Sequence, residues 1–407
     1  MSGVALVLAL VLALAATQLA SCTAPSIGVA TPIESAAVIP MSVYHNRIYL
    51  AGRVDSSGIL SAVLDNGASV SGVSEAIADR LHVRGGSRAP LVGNGDERLS
   101  IYLARDVTFH VGGVALREPV AAIVPMRPFV ALEGRSVDAI VGKDLFARFV
   151  VDVDYDAGRL TLHDPRSYDY RGQGVIVPLH VSRDRSHAWM SGTISAGHGT
   201  AIPVRLGLDM GTYSAVRLYG PFVREHALTR EVGTTVATFG FGLGGEFPVA
   251  LARLTTASIG GVTIDHPVAE LSTATSGATA GNDFDGTIGG AVLRRFHVIV
   301  DFTRNRMILE PGREIAAPFA ADMSGLVLSA QGDALDTIVV RHVALGSSGE
   351  AAGLRVGDVI RSVDGESAAR LGLEGLRTRF MRSAQYQLEI ERRGATVRLA
   401  LTTRPLI

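Results

Sequence analysis

The chain has 407 residues, with 38 basic and 39 acidic side chains, a formal net charge of −1 and 47% apolar residues. A chain of this length holds two or three domains, and so even a charge balance argues against a nucleic-acid-binding surface. The 46 glycines, set among short Val, Ile and Leu runs, point to a strand-rich fold with many turns.

Residues 4–16 form an unbroken Ala/Val/Leu run. It is short for a membrane span and suits the apolar segment of an export signal. It leads into Leu19-Ala20-Ser21-Cys22, where Cys22 is the sole cysteine. These residues resemble the lipobox of bacterial lipoproteins. That resemblance implies cleavage of a signal peptide (1–21), a diacylglycerol on Cys22, a membrane anchor through that lipid, and an exported, periplasm-facing place in the bacterial cell envelope. The absence of Lys or Arg from residues 1–3 departs from the pattern, and an ordinary secretory signal is the alternative. With one cysteine no intramolecular disulfide is expected. Residues 22–37, rich in Ala, Ser, Thr and Pro, read as a flexible tether.

From residue 38 the pattern becomes that of strands. Residues 48–54 and 60–64 flank the turn cluster Asp55-Ser56-Ser57-Gly58, and the second run leads into Asp65-Asn66-Gly67. Alone, Asn-Gly after an apolar run is a hairpin signal. Residues 74–81 carry an N-capping Ser74 and helical spacing. Residues 84–96 are polar and end in Gly93-Asn94-Gly95-Asp96. Strands are expected at 101–111 and 120–125. Asp138-Ala139-Ile140-Val141-Gly142 then precedes a short helix at 143–149, and a hairpin at 150–155 and 159–162 closes around Asp156-Ala157-Gly158.

The next stretch repeats this order. Asp209-Met210-Gly211 echoes Asp65-Asn66-Gly67, and Gly260-Gly261-Val262 echoes Gly112-Gly113-Val114. Asp285-Gly286-Thr287-Ile288-Gly289 echoes the stretch from Asp138 to Gly142. Arg306-Met307-Ile308-Leu309 echoes Arg159-Leu160-Thr161-Leu162. A repeat of domain size implies two similar domains, not a solenoid. After a Pro/Ala-rich joint at 311–322 comes Ala352-Gly353-Leu354-Arg355-Val356-Gly357-Asp358-Val359-Ile360, then a helix near 373–382 and strands at 386–392 and 396–402. This part resembles a PDZ domain of the permuted type found in bacterial envelope proteases. The resemblance implies binding of a peptide as an added strand, with Gly325, Leu326 and Val327 near the carboxylate-binding loop.

Each repeat is similar to one lobe of a retropepsin-like aspartic peptidase, the pepsin and retroviral-protease type. The fold class expected is therefore all-β dominated, with two acid-protease β-barrel lobes (38–165 and 166–315) and a PDZ domain (322–405). The resemblance implies an intramolecular pseudo-dimer in which Asp65 and Asp209 share the activation of water and the protonation of a peptide substrate, without cofactor. Two facing carboxylates share one proton, so one acts as base and the other as acid. Gly67 and Gly211 allow the two backbones to approach. Glycine-rich flaps over a substrate cleft are expected at 93–96 and at Phe239-Gly240-Phe241-Gly242, where Phe239, Phe241 and Gly242 are the candidate substrate contacts. Family members carry Thr or Ser between Asp and Gly, and that hydroxyl holds the two carboxyls rigid. Asn66 and Met210 stand there instead, so a looser site is expected.

Other patterns carry less. Gly240-x-Gly242-x-x-Gly245 is followed by a strand pattern, not a helix, which argues against a dinucleotide. Asp154 and Asp301 lie on late strands and read as structural, and Asp156 reads as a turn residue. No histidine spacing suggests a metal. The competing reading is a catalytically weak or inactive peptidase-like protein that binds peptides in the envelope. A plain secreted structural protein fits the paired motifs less well.

Overall fold

The computed structural model describes residues 29–30, 36–95, 99–183, 185, 187–197 and 200–407. The signal segment, Cys22, most of the tether and Asp96 lie outside the described residues. Strands dominate, arranged in one fourteen-stranded, one ten-stranded and one six-stranded sheet.

The two repeats have matching local architecture. In the first, strand Leu60–Leu64 runs parallel to Ala139–Val141, which lies antiparallel to Gly72–Ser74. In the second, Ile202–Leu208 runs parallel to Gly286–Ile288, which lies antiparallel to Val216–Leu218. Alternation along each strand sends one set of side chains into the shared core. Ala62, Leu64, Ala139 and Val141 do so in the first repeat, and Leu206, Leu208, Val216 and Ile288 in the second. The opposite faces look into the space between the repeats. The helix Glu75–Arg80 follows the first motif because Ser74 accepts from the Ile77 amide at its N-terminus, at 3.3 Å.

A sheet joins the repeats. Strand Val150–Asp154 pairs antiparallel with Phe296–Asp301, Val151 opposite Val300. The full order across this region is Val175–Pro178, Arg306–Pro311, Phe296–Asp301, Val150–Asp154, Arg159–His163, Ala36–Tyr44. Val150, Val151, Val153, Val298 and Val300 are fully buried in it. At roughly 1.5–3 kcal/mol for each apolar side chain removed from water, the joint is a substantial part of the fold.

Two places differ from the reading of the sequence. Val29–Ala30 pairs with Arg117 and Leu116, and Ala36 and Ala37 begin the strand Ala36–Tyr44, so four residues of the expected tether belong to sheets. Free backbone groups on a sheet edge bind any passing extended segment, whatever its composition. Ahead of the helix expected from residue 373 lies a further helical segment from Ala368, set apart from it by the non-helical backbone of Gly372, and the helix ends at Phe380. In this C-terminal unit Leu326–Gln331 is an edge strand, and Leu328, Ile338, Ile360, Leu376 and Phe380 form a separate core.

Candidate active site

The two motif strands end side by side. The Asp65 amide donates to the Val141 carbonyl at 3.0 Å, and the Asp209 amide donates to the Ile288 carbonyl at 3.1 Å. The Gly67 amide donates to Asp65 Oδ1 and the Gly211 amide to Asp209 Oδ1, both at 2.9 Å. Each glycine also faces the carboxyl of the other loop. A Cβ on Gly211 would stand 2.2 Å from Asp65 Cγ, and one on Gly67 would stand 3.2 Å from Asp209 Oδ1. Any other residue at 211 would occupy the place of the Asp65 carboxyl.

Burial raises the Asp65 carboxyl, the neighbouring Asp209 adds to the rise, and together they push it up to about 7. Burial also raises Asp209, against the opposing charges of Arg217 and Arg47. Two carboxyls in this state hold one proton between them near neutrality.

Asn66 links the two lobes. Its Nδ2 donates to the Leu208 carbonyl at 2.7 Å, and its Oδ1 accepts from the Met210 amide at 2.7 Å. Met210 is wholly buried in the core. The expectation of a loose site assumed that two hydroxyls were needed. One carboxamide offers a donor and an acceptor at once, so a single side chain makes both bonds across to the partner motif.

The hairpins read as flaps meet at their tips. The Gly95 amide donates to the Leu243 carbonyl at 3.1 Å, and a Cβ on Gly242 would lie 3.1 Å from that of Asn94. Strand alternation turns Phe239 and Phe241 away from the glycine side. Phe241 is buried, stacked 4.9 Å from Tyr213 and 5.6 Å from His45, and Phe239 meets His342 of the C-terminal unit edge-on at 4.9 Å. Gly325, Leu326 and Val327 line a cavity of about 220 Å³ between that unit and the second flap, with Phe239, Phe241 and Glu270 on the other side. Asp154 caps the turn at Ala157, and Asp301 is buried among Thr303, Arg304 and Arg306. Among the described residues no group of His, Cys, Asp and Glu could hold a metal ion, and no helix is long and apolar enough to cross a membrane.

Several residues around the dyad had drawn no attention in the sequence. Arg47, 2% exposed, donates through Nε to the Gly211 carbonyl at 2.6 Å and pairs with Glu133. Glu133 also accepts from Tyr49 Oη at 2.8 Å and lies 3.1 Å from His45 Nδ1. Burial would raise Glu133, but Arg47, His45 and Arg377 together hold it at about 2. Burial and then Arg377 push His45 down to about 3, so its ring is neutral. Arg217, 1% exposed, pairs with Glu270 at 2.7 Å. The available signal was a lone arginine inside an apolar strand run, as in Arg47-Ile48-Tyr49-Leu50 and Ala215-Val216-Arg217-Leu218.

Comparisons with known proteins agree in part. The family model described as PDZ domain matches residues 321–391, so the C-terminal unit is a PDZ domain. No curated protein matches the chain. Among solved structures 406 chains match. One is the crystal structure of aspartic proteinase from Irpex lacteus, 16% identical, with a TM-score of 0.43, covering 69% of this chain and 99% of that one. The fold is strand-dominated, with two repeats of matching local architecture and a C-terminal PDZ domain.

Proposed function

We propose that the protein is an aspartic endopeptidase whose two lobes act as an intramolecular pseudo-dimer. The observation that carries this reading is the crossed arrangement at the motifs. Each Asp is bonded by the glycine amide of its own loop and faces the glycine of the other. A water lying between the two carboxyls would lose a proton to the ionised one while the protonated one donates to the scissile carbonyl. The proton held by the raised pair supplies the acid near neutral pH. The flap tips, by closing over this point, would exclude bulk water. The PDZ domain binds a peptide segment, and its contact with the second flap lies beside the cleft. An export signal and a lipid anchor on Cys22 would put this activity at the bacterial cell envelope, a reading that the sequence of residues 4–22 supports.

The test is hydrolysis of a peptide library by the chain from residue 24 onward, beside Asp65→Asn and Asp209→Asn. Each substitution is expected to lower the rate by 10³-fold or more, by analogy with on the order of 10²–10⁴-fold for a lost general acid or base. Cleavage that survives both would remove the dyad assignment. Peptide binding without any cleavage by the unaltered chain would favour a non-catalytic peptide-binding protein.

A further inference from the structure

The walls of the cleft differ between the lobes. In the first, the side chains opposite the core face run Val63, Ile140, Gly72, Ala122 across four strands in register. Val63, Ile140 and Ala122 are buried in an apolar cluster with Leu91 and Leu103 of the first flap and Leu243 of the second flap's tip. In the second lobe the corresponding row runs Gly207, Thr287, Arg217, Glu270. Its strand neighbours Leu206, Leu208, Val216, Ile288, Ala269 and Leu271 point into the core, so this row faces the opposite side, where the rings of Phe247 and Tyr213, 4.9 and 5.8 Å away, cover the Arg217 guanidinium until a ligand displaces them. Where one wall is apolar, the other carries a hydroxyl, a guanidinium and a carboxylate.

This polar row is incompletely satisfied. Glu270 accepts from Arg217 Nε at 2.7 Å and from Tyr213 Oη at 2.5 Å, which engages both its oxygens. Arg217 Nη2 and Thr287 Oγ1 have no hydrogen-bond partner, and their residues are 1% and 5% exposed. They stand directly opposite each other on adjacent strands. A buried polar atom left without a partner is destabilising, so a fold that keeps two of them together favours a ligand that satisfies both.

We propose that this wall is a substrate subsite for a side chain ending in a carboxamide, glutamine or asparagine, and that Arg217 and Thr287 determine this specificity. The proposal rests on the peptidase reading of the cleft. A carboxamide oxygen accepts from Arg217 Nη2, and its NH2 group donates to Thr287 Oγ1. A carboxylate fits less well. The charge of Arg217 is already matched by Glu270, and a further buried anion beside the dyad has no counter-ion. An apolar side chain leaves both polar atoms unpaired. The first wall takes an apolar side chain, so the two walls fix the direction in which a peptide lies.

The test uses the full chain carrying Asp65→Asn, so that binding is read without turnover. Fluorescent peptides with Gln, Glu or Leu placed in turn at each position are titrated by anisotropy. At one position Gln is expected to bind on the order of 10–100-fold more tightly than Leu or Glu. Thr287→Ile, which installs the residue of the first wall, is expected to erase or reverse that preference. Arg217→Met with Glu270→Gln should do the same without stranding an unpaired charge. Equal affinity for Gln and Leu at every position overturns the proposal, as does a Gln preference that both variants retain, or no binding of any peptide. Cleavage by the unaltered chain is measured separately. Its absence, with Gln selectivity in binding intact, removes the peptidase reading and leaves the subsite standing.

Discussion

Removing the carboxamide of Asn66 would leave the Leu208 carbonyl and the Met210 amide buried without partners. Asn66→Ala is therefore expected to cost on the order of 1–3 kcal/mol in urea unfolding, and to lower kcat by roughly 10²-fold because the carboxyls lose their brace. Asn66→Thr keeps one of the two bonds and should fall between. An alanine variant with unaltered kcat and stability would show that the bridge positions nothing. The carboxyls themselves predict a dependence on pH. Both are raised in the fold, so the folded chain holds their protons more tightly than the unfolded chain does. Stability from this source is complete below the ordinary value of 3.8 and is lost as pH rises through about 7. Asp65→Asn should accordingly raise stability by on the order of 1–3 kcal/mol at about pH 8, with little gain at about pH 3.5. The same ionisation sets the upper limb of activity, so kcat/KM is expected to fall above an apparent pKa near 7. A profile confined to strong acid would contradict it. Asp65 and Asp209 were legible because the motif occurs twice. The part played by Asn66 was not, since its bonds reach residues 142 and 144 positions away.

The helix Arg127–Glu133 had no reading in the sequence, because its importance comes from distant partners. Its last carbonyls, on Leu132 and Glu133, accept from Arg377 of the PDZ domain at 2.5 and 2.9 Å. A guanidinium at a helix C-terminus satisfies groups that the helix itself leaves open. Its Glu133 side chain holds Arg47, and Arg47 holds the Gly211 carbonyl in the loop that follows Asp209. Arg47→Met should then be severe. It leaves Glu133 buried without its main counter-charge, a loss of about 3–5 kcal/mol where one member of a buried pair is removed. Arg47→Met paired with Glu133→Gln should recover part of that stability while leaving the Gly211 carbonyl unheld. Thermal unfolding of the single and double variants separates the two effects, and a single variant as stable as the parent would refute the pairing. The strands and the short helices at 74–81 and 143–149 were readable from spacing and capping. This helix was not, since Met126 offers no side-chain cap and the segment has no counterpart motif in the second repeat.

On the scale of the whole molecule, the repeat made the two lobes readable and the Ala-Gly-Leu core made the PDZ domain readable, but nothing in the sequence showed how they meet. That geometry depends on surface residues with ordinary local patterns. The PDZ edge strand Leu326–Gln331 packs on helix Arg127–Glu133, and Val327 joins the apolar cluster that lines the first wall of the cleft. Leu373 packs where Gly134 has no side chain, Glu374 accepts from the His45 amide at 3.4 Å, and Phe239 meets His342. The PDZ domain thus holds both the helix that braces the dyad and the strand that carries the second flap. Loosening this contact should free the flap before it unfolds a lobe, since the lobe side of the contact belongs to the separate apolar cluster of Phe129, Leu132 and Phe241 and not to the main core of the lobes. Arg377→Ala is therefore expected to speed amide exchange in strands Val236–Gly242 and Gly245–Arg253, and in helix Arg127–Glu133, by roughly tenfold for about 1.4 kcal/mol of lost contact. The joining sheet at Val150–Asp154 and Phe296–Asp301 should keep its protection. If exchange in the flap is unchanged while the PDZ domain itself loosens, Arg377 stabilises only its own domain, and the PDZ contact does not govern the flap.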